Sequence, residues 1–202
     1  MIKAIIFDLG GVLIDWNPEY LYKKIFNDEH EMKNFLQEVC TPDWNEEQDA
    51  GRTVFAGTQA LIKAYPAHEE NIKAFYDRWP EMLGGPIEGA VEIFKRLKES
   101  DKYKIYALTN WSNETFPIAQ ERYSFLNWFD GIVVSGTEKI RKPATAFYKL
   151  LLDRYTVQPS EALFIDDNKR NIDAASKLGI DSIHYKNAAE LEKELEKRNI
   201  LG

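Results

Sequence analysis

The chain has a single cysteine, Cys40, in 202 residues, which excludes an internal disulfide and fits a reducing compartment; Cys40 reads as a packed helix residue. It has no apolar run near the roughly 20 residues that span a bilayer, and Asp8 interrupts the first apolar stretch too early for a secretory signal. The expected location is the cytoplasm. Basic residues are outnumbered, 26 Lys and Arg against 33 Asp and Glu, for a formal charge of −7 and a pI near 5.1. That balance excludes a nucleic-acid backbone or an anionic membrane as the main partner, so an anionic ligand has to be held locally. The few histidines, His30, His68 and His184, lack the paired spacing of a metal site. Repeats and low-complexity tracts are also missing. What is there, 44% apolar and 13% aromatic residues, suffices for one sizeable core plus a smaller appended module.

Five short β-rich runs stand out, and four of them end in polar residues. Lys3 to Phe7 runs into Asp8-Leu9-Gly10-Gly11, Lys104 to Leu108 stops at Thr109-Asn110, Gly131 to Val134 stops at Ser135-Gly136, and Ala162 to Ile165 stops at Asp166-Asp167-Asn168. Ser182 to Tyr185 comes last. Between them lie helical spacings such as Ile87, Ala90, Val91, Phe94 and Leu97, and a helix over Phe147, Leu150 and Leu151 opened by Pro143 in its first turn. Strands apolar on both faces and joined by helices predict an α/β fold with a parallel sheet, whose right-handed crossovers gather the strand ends on one edge. Asp8, Thr109 and Asp166 are expected there. A carboxylate on one strand end and a carboxylate pair on a neighbour are what metal-assisted attack on a phosphate needs, so the chain reads as an enzyme.

Residues 16–83 break this rhythm, with helical periodicity and no β-rich run. They read as a helical module inserted into a core made of residues 1–15 and 84–202, with Asp15-Trp16-Asn17-Pro18 and Leu83-Gly84-Gly85-Pro86 as hinges. Within the module Trp44, Asp49, Arg52 and Trp79 are candidates to face a ligand. Trp44 and Trp79 equally fit the module's own core and Asp49-Ala50-Gly51-Arg52 a plain turn, which singles out Arg52 for test. The run from Glu190 to Arg198 fits a solvated amphipathic helix.

Phe7-Asp8-Leu9-Gly10-Gly11-Val12, Leu108-Thr109-Asn110, Arg141-Lys142-Pro143 and Ile165-Asp166-Asp167-Asn168, in this order, resemble the four motifs of the haloacid dehalogenase-like superfamily. The resemblance covers essentially the whole chain. The inserted module resembles that family's C1-type cap, and Asn171-Ile172-Asp173-Ala174-Ala175 with Leu178-Gly179 is also similar to its pattern. It implies a Rossmann-like core and a Mg²⁺-dependent phosphatase acting on a small phosphorylated metabolite. Asp8 would be the nucleophile, forming an aspartyl-phosphate that water hydrolyses. Thr109 and Asn110 would bind phosphate oxygens through hydroxyl and backbone N–H groups near the N-terminus of the following helix. Lys142 would neutralise both phosphate and nucleophile. Three acids in one small volume call for a hard divalent cation. The resemblance implies Mg²⁺ held by Asp8, the backbone carbonyl of Gly10, and Asp166 or Asp167, and the sequence leaves open which of that pair binds it directly; Asn168 is a weaker candidate. Each residue also has a plainer reading: turn or helix caps for the acids and Thr109, and a solvated basic run with Lys139 and Arg141 for Lys142.

The departure from the family is Gly10. Most phosphatases that the chain resembles carry there a second Asp that protonates the leaving group. Losing such a group costs roughly 10²–10⁴-fold, so either the leaving oxygen is unusually stable or another acid stands in. Asp15 is one candidate, although it equally fits a helix cap. Sugar 1-phosphate phosphatases of the superfamily include members with a similar Asp-Leu-Gly opening, and an anomeric oxygen leaves more readily than an ordinary alcohol. Glucose 1-phosphate is therefore the preferred substrate. Two alternatives follow from the same resemblance: a 2-haloacid dehalogenase, in which Asp8 attacks carbon without metal, and a catalytically weak binding protein on the same fold. The Asp166-Asp167 pair argues against the first, because a carboxylate substrate would be repelled by it.

Overall fold

A computed structural model describes the whole chain, residues 1–202. Its strands are β1 (Ala4–Phe7), β2 (Ile14–Trp16), β3 (Leu83–Pro86), β4 (Lys104–Thr109), β5 (Gly131–Val134), β6 (Ala162–Asp166) and β7 (Asp181–His184). Five of them form one parallel sheet in the order β5-β4-β1-β6-β7. Side chains alternate between its two faces, and both faces are covered. Ile5, Phe7, Ile105, Ala107, Leu163 and Ile165 pack on one side with Phe94 and Leu97. Ala4, Ile6, Tyr106, Leu108, Ala162 and Phe164 pack on the other with Phe147, Leu151 and Ile172.

The chain order reverses at β1, which pairs with β4 on one side and β6 on the other. In open α/β sheets the crevice at such a reversal, outside the carboxyl ends of the strands, is where ligands bind. Phe7 stands level with Ala107 and with Ile165, so Asp8, the end of β4 and Asp166 arrive side by side on that edge.

Helix Glu88–Glu99 buries Ala90, Phe94 and Leu97 of the expected stripe together with Ile93, while Ile87 and Val91 are only half-buried, and Phe94 stacks on Phe129 with centroids 4.4 Å apart. Helix Thr145–Arg154 differs from expectation at its start. Ala144 is its N-cap, so Pro143 lies ahead of the first turn and belongs to the loop that carries Lys142.

Between β2 and β3 run the helices Glu19–Tyr22, Glu29–Glu38, Pro42–Asp49, Val54–Ala64 and Glu69–Asp77. The side chains of Asp28, Thr41 and Thr53 accept from backbone N–H groups in the first turns of three of them, the capping that polar residues supply there. Aromatic side chains join these helices: Tyr22 lies 5.1 Å from Phe35 and Trp44 lies 5.1 Å from Phe75. Cys40 is buried, as expected of a packed residue, but it follows helix Glu29–Glu38 rather than lying within it, with the Tyr22 hydroxyl 3.9 Å from its sulfur.

The two segments read as hinges pair as an antiparallel ribbon, Ile14 opposite Pro86 and Asp15 opposite Gly85. Gly84 permits this closeness: a Cβ there would fall 2.2 Å from the Asp15 carboxylate. One apolar cluster runs from the sheet face through this junction to Trp79 and Phe75. No helix is long and apolar enough to cross a membrane.

Candidate active site

Asp8 continues β1, its N–H donating to the Ile165 carbonyl at 2.8 Å, and Asp166 closes the neighbouring β6. Lys142 joins them from the loop beyond β5. Its Nζ lies 2.8 Å from Asp8 Oδ2 and 2.7 Å from Asp166 Oδ2, with the lysine and Asp166 wholly buried. Asn110, at the end of β4, fixes the lysine's backbone: the Lys142 N–H donates to Asn110 Oδ1 at 2.8 Å, and Asn110 Nδ2 donates to the Lys142 carbonyl at 3.0 Å. No local pattern marks this amide as the group that holds the lysine.

Asp166 is surrounded by donors. The Asn168 N–H reaches Oδ1 at 2.7 Å, and Asn171 Nδ2 reaches Oδ1 at 3.1 Å and Oδ2 at 3.0 Å. With Lys142 on Oδ2 as well, few of its acceptor positions are left. Asp167 turns its carboxylate over Gly11, whose φ of 74° and lack of a side chain allow the approach; a Cβ there would fall 2.3 Å from Asp167 Oδ2. One oxygen from each of Asp8, Asp166 and Asp167 lies within 4.8 Å of the other two.

Charge in this cluster is unbalanced, three carboxylates against one ammonium. Burial pushes Asp8 up to about 8, with Lys142 opposing and Asp166 and Asp167 adding to the rise. Burial and Asp166 likewise raise Asp167. For Lys142 burial alone would lower the pKa, but Asp166 and Asp8 outweigh it and hold the ammonium above its ordinary value. A hard, oxygen-seeking divalent cation fits such a donor set and would relieve the repulsion.

Above the cluster lies a cavity of about 240 Å³ whose wall includes Asp8, Gly10, Asn110 and Asp167 below and Trp16, Asp49, Tyr76, Trp79 and Trp111 above. A second space of about 350 Å³ shares Asp8, Asp49, Asn110 and Asp167 and adds Glu46 and Arg170. Thr109 and Lys142 lie beneath the wall, fully enclosed. The helix after β4 starts at Phe116, so a loop, 110–115, comes first, and its last residue, the helix N-cap Thr115, also lines the cavity. That loop is pinned by the Trp111 N–H, which donates to Ser135 Oγ at 2.9 Å, and by the Trp111 ring against Trp79 at 5.6 Å.

The Thr109 hydroxyl is buried without a hydrogen-bond partner. Such a group costs about 1–3 kcal/mol unless a ligand satisfies it. Thr109→Val, which keeps the shape, is expected to leave stability unchanged or raise it by about 1 kcal/mol in denaturant unfolding, while lowering turnover by about tenfold or more.

Other candidates fall elsewhere. Arg52 folds back, Nε donating to Gln48 Oε1 at 2.6 Å and Nη2 to the Trp44 carbonyl at 3.1 Å, and lines neither cavity. Asp15 accepts from the Tyr20 hydroxyl at 2.7 Å and also lines neither. Trp44 belongs to the insertion's core, its Nε1 donating to the Gly57 carbonyl at 3.1 Å, whereas buried Trp79 also faces the cavity. At Gly10 a Cβ would meet nothing within 4 Å, so packing does not force the missing side chain. Asp49 is the residue that sequence reasoning passed over as a turn. It ends helix Pro42–Asp49, where the helix's partial negative charge opposes a carboxylate, and that position was the available signal. Burial, with Glu46 nearby, pushes its carboxyl up to about 7.

A sequence profile of the haloacid dehalogenase-like hydrolases matches residues 2–179. A drimenol cyclase of Aspergillus calidoustus is 25% identical over 205 residues, 100% of this chain but only 37% of that protein, so the chain spans little more than a third of this relative. A sesquiterpene phosphatase of Aspergillus oryzae is 28% identical over 200 residues, 99% of this chain and 97% of that one. Among solved structures, the magnesium complex of a haloacid dehalogenase-family enzyme from Bacteroides thetaiotaomicron superposes with a TM-score of 0.72 at 22% identity, over 97% of this chain and 98% of that one, a likeness of fold.

Proposed function

Since the chain belongs to the haloacid dehalogenase-like hydrolase family, we propose that it is a phosphatase that hydrolyses a small phosphomonoester through a phosphoryl group carried on Asp8, with Mg²⁺ beside it. The observation that carries this is the Lys142 ammonium held between Asp8 and Asp166 at the foot of a cavity, with a further carboxylate, Asp167, in reach. An Asp8 oxygen attacks phosphorus, the bond to the leaving oxygen breaks, and water then cleaves the aspartyl-phosphate to restore Asp8. A phosphate arriving at Asp8 is met by the Lys142 charge and the unpartnered Thr109 hydroxyl from beneath, and by the Asn110 backbone N–H beside them.

Asp8, the Gly10 carbonyl and Asp167 are the groups we assign to the metal. Asp166 serves as the anchor of Lys142, because its oxygens already accept from Lys142, Asn168 and Asn171. Mg²⁺, when bound, supplies positive charge to the phosphoryl oxygens. The helical insertion is assigned as a cap that closes on the ribbon of β2 and β3 and excludes water.

For the substrate, a cavity of about 240 Å³ sets the scale of a small metabolite. Gly10 supplies no acid, which favours an ester whose oxygen leaves readily, such as glucose 1-phosphate. The aromatic wall of Trp16, Tyr76, Trp79 and Trp111 suits a sugar ring and equally an isoprenoid chain, and the relative named as a sesquiterpene phosphatase makes a prenyl phosphate the second ester to try. The excess of acid disfavours the haloacid reading, since a carboxylate substrate would be repelled.

The test is a panel of phosphate esters, including glucose 1-phosphate, a prenyl phosphate and p-nitrophenyl phosphate, with 2-chloropropionate alongside, each assayed with Mg²⁺ and with EDTA. Phosphate release is expected, falling by at least about 10²-fold in EDTA. Chloride release indifferent to EDTA would instead establish the dehalogenase, and no turnover of any compound the binding protein.

A further inference from the structure

We propose that Asp49, from the helical insertion, is the proton donor to the leaving oxygen, a role that rests on the phosphatase reading above. Hydrolysis of an alcohol phosphate needs a proton at that oxygen, and Gly10 has no side chain to give one. The acidic groups on the walls of the two cavities are few: Asp8, Glu46, Asp49, Asp167, the Tyr76 hydroxyl and the Cys40 thiol, which burial pushes up to about 12. Asp8 is the nucleophile and Asp167 is assigned to the cation. Glu46 is engaged in ion pairs with Arg141 at 2.6 Å and with Arg170. The Tyr76 hydroxyl donates to Asn45 Oδ1 at 2.9 Å, and burial moves its pKa further up. Asp49 has no ion pair, and the donors at its carboxylate are only Asn45 Nδ2 at 3.4 Å and the Ser112 backbone.

The surroundings of Asp49 favour its neutral form. Burial comes first and the Glu46 carboxylate second, while the Ser112 backbone and the Arg141 guanidinium oppose them only in part, Arg141 being tied to Glu46. Tyr76 and Asn45 complete the ring of groups around it. The result is a carboxyl pushed up to about 7, poised to give and regain a proton near neutrality.

Its place relative to the sheet is also fixed. Ser135 Oγ donates to the Asp49 carbonyl at 2.5 Å while accepting from the Trp111 N–H at 2.9 Å, so one hydroxyl links the insertion to the loops beyond β4 and β5. Two residues on, a Cβ at Gly51 would fall 3.2 Å from the Gly136 carbonyl, so the insertion and the core are in close contact here.

The chemistry balances. As the P–O bond of the ester breaks, the Asp49 hydroxyl passes its proton to the departing oxygen and the alcohol leaves. The Asp49 carboxylate then takes a proton from the water whose oxygen attacks the aspartyl-phosphate. The bond to Asp8 breaks, phosphate leaves, and both aspartates return to their starting states with one water consumed.

The experiment compares wild type with Asp49→Asn on two esters: p-nitrophenyl phosphate, whose phenolate leaves without a proton, and the alcohol phosphate that wild type hydrolyses fastest. The variant is expected to lose about 10²–10⁴-fold in kcat/KM on the alcohol phosphate and less than about threefold on the nitrophenyl ester. In Mg²⁺-loaded wild type, where the cation would keep Asp8 ionised, kcat/KM for the alcohol phosphate should fall as pH rises through about 7, where Asp49 loses its proton, and this limb should vanish in the variant. An equal loss on both esters, the mark of a merely structural residue, or no loss on either, overturns the proposal. Failure of wild type to release phosphate from any ester defeats the parent reading before a substitution is made, so the two failures are distinguishable.

Discussion

Asp8→Asn is expected to lower phosphate release by at least about 10⁴-fold, while the protein still unfolds in one cooperative transition. The amide has the shape of the carboxylate but is a poor nucleophile, and no neighbour can take over. Asp166 is held by Lys142, Asn168 and Asn171, and Asp167 reaches in from over Gly11. Folding should survive because Lys142 keeps its 2.7 Å contact with Asp166 and one of three crowded acids becomes neutral. Steady-state assays on the fastest ester, with circular dichroism during urea unfolding, check both halves. Retention of more than about 1% of the activity would remove Asp8 from the covalent role.

Lys142→Met is expected to impair both stability and activity. The methionine matches the aliphatic stem of a side chain whose ammonium lies over the Phe164 ring, 5.5 Å from its centroid, but it leaves two buried carboxylates facing each other. Removing one partner of a buried ion pair costs about 3–5 kcal/mol, and turnover should fall by about 10³-fold or more with the loss of positive charge beside the phosphate. The pH dependence has a definite sign. Without the lysine, burial and the neighbouring acids hold the Asp8 pKa above its unfolded value, so the native state keeps a proton that the unfolded chain releases. The stability deficit of the variant should therefore be largest in alkaline solution and shrink as pH falls through the raised Asp8 pKa, which without the opposing lysine lies above the value of about 8 that it has beside Lys142. Urea unfolding of both proteins across that window measures it, and a deficit independent of pH would contradict the assigned environment.

The core of the fold was legible because four of the five sheet strands are largely apolar runs that stop at a polar residue. Ile5 and Ile6 face opposite sides of the sheet and both are buried, so the runs had to be two-sided, and Asp8 and Asp166 stand at their ends as the pattern required. The β2–β3 ribbon was not legible. Its strands are three and four residues long and contain Asp15, Gly84 and Gly85, a composition that signals a turn, and pairing across 69 intervening residues leaves no local trace. Pro143 was misplaced because a proline before a helical spacing fits the first turn and also the residue after a buried lysine. The roles of Asn110 and Asn171 depend on contacts 32 and 5 residues away in sequence, and Asp49 matters only because the insertion folds over the sheet edge. Arg52 was singled out for its charge, but a guanidinium offered a carbonyl and an amide on the helix just before it satisfies itself there.

Rapid quenching of the reaction with a phosphate-labelled ester, followed by peptide mapping, tests most directly that Asp8 carries the phosphoryl group. The account predicts label on the peptide that holds Asp8, formed only with Mg²⁺ and absent in Asp8→Asn. Label on any other residue, or phosphate release with no labelled peptide at any time, would contradict it.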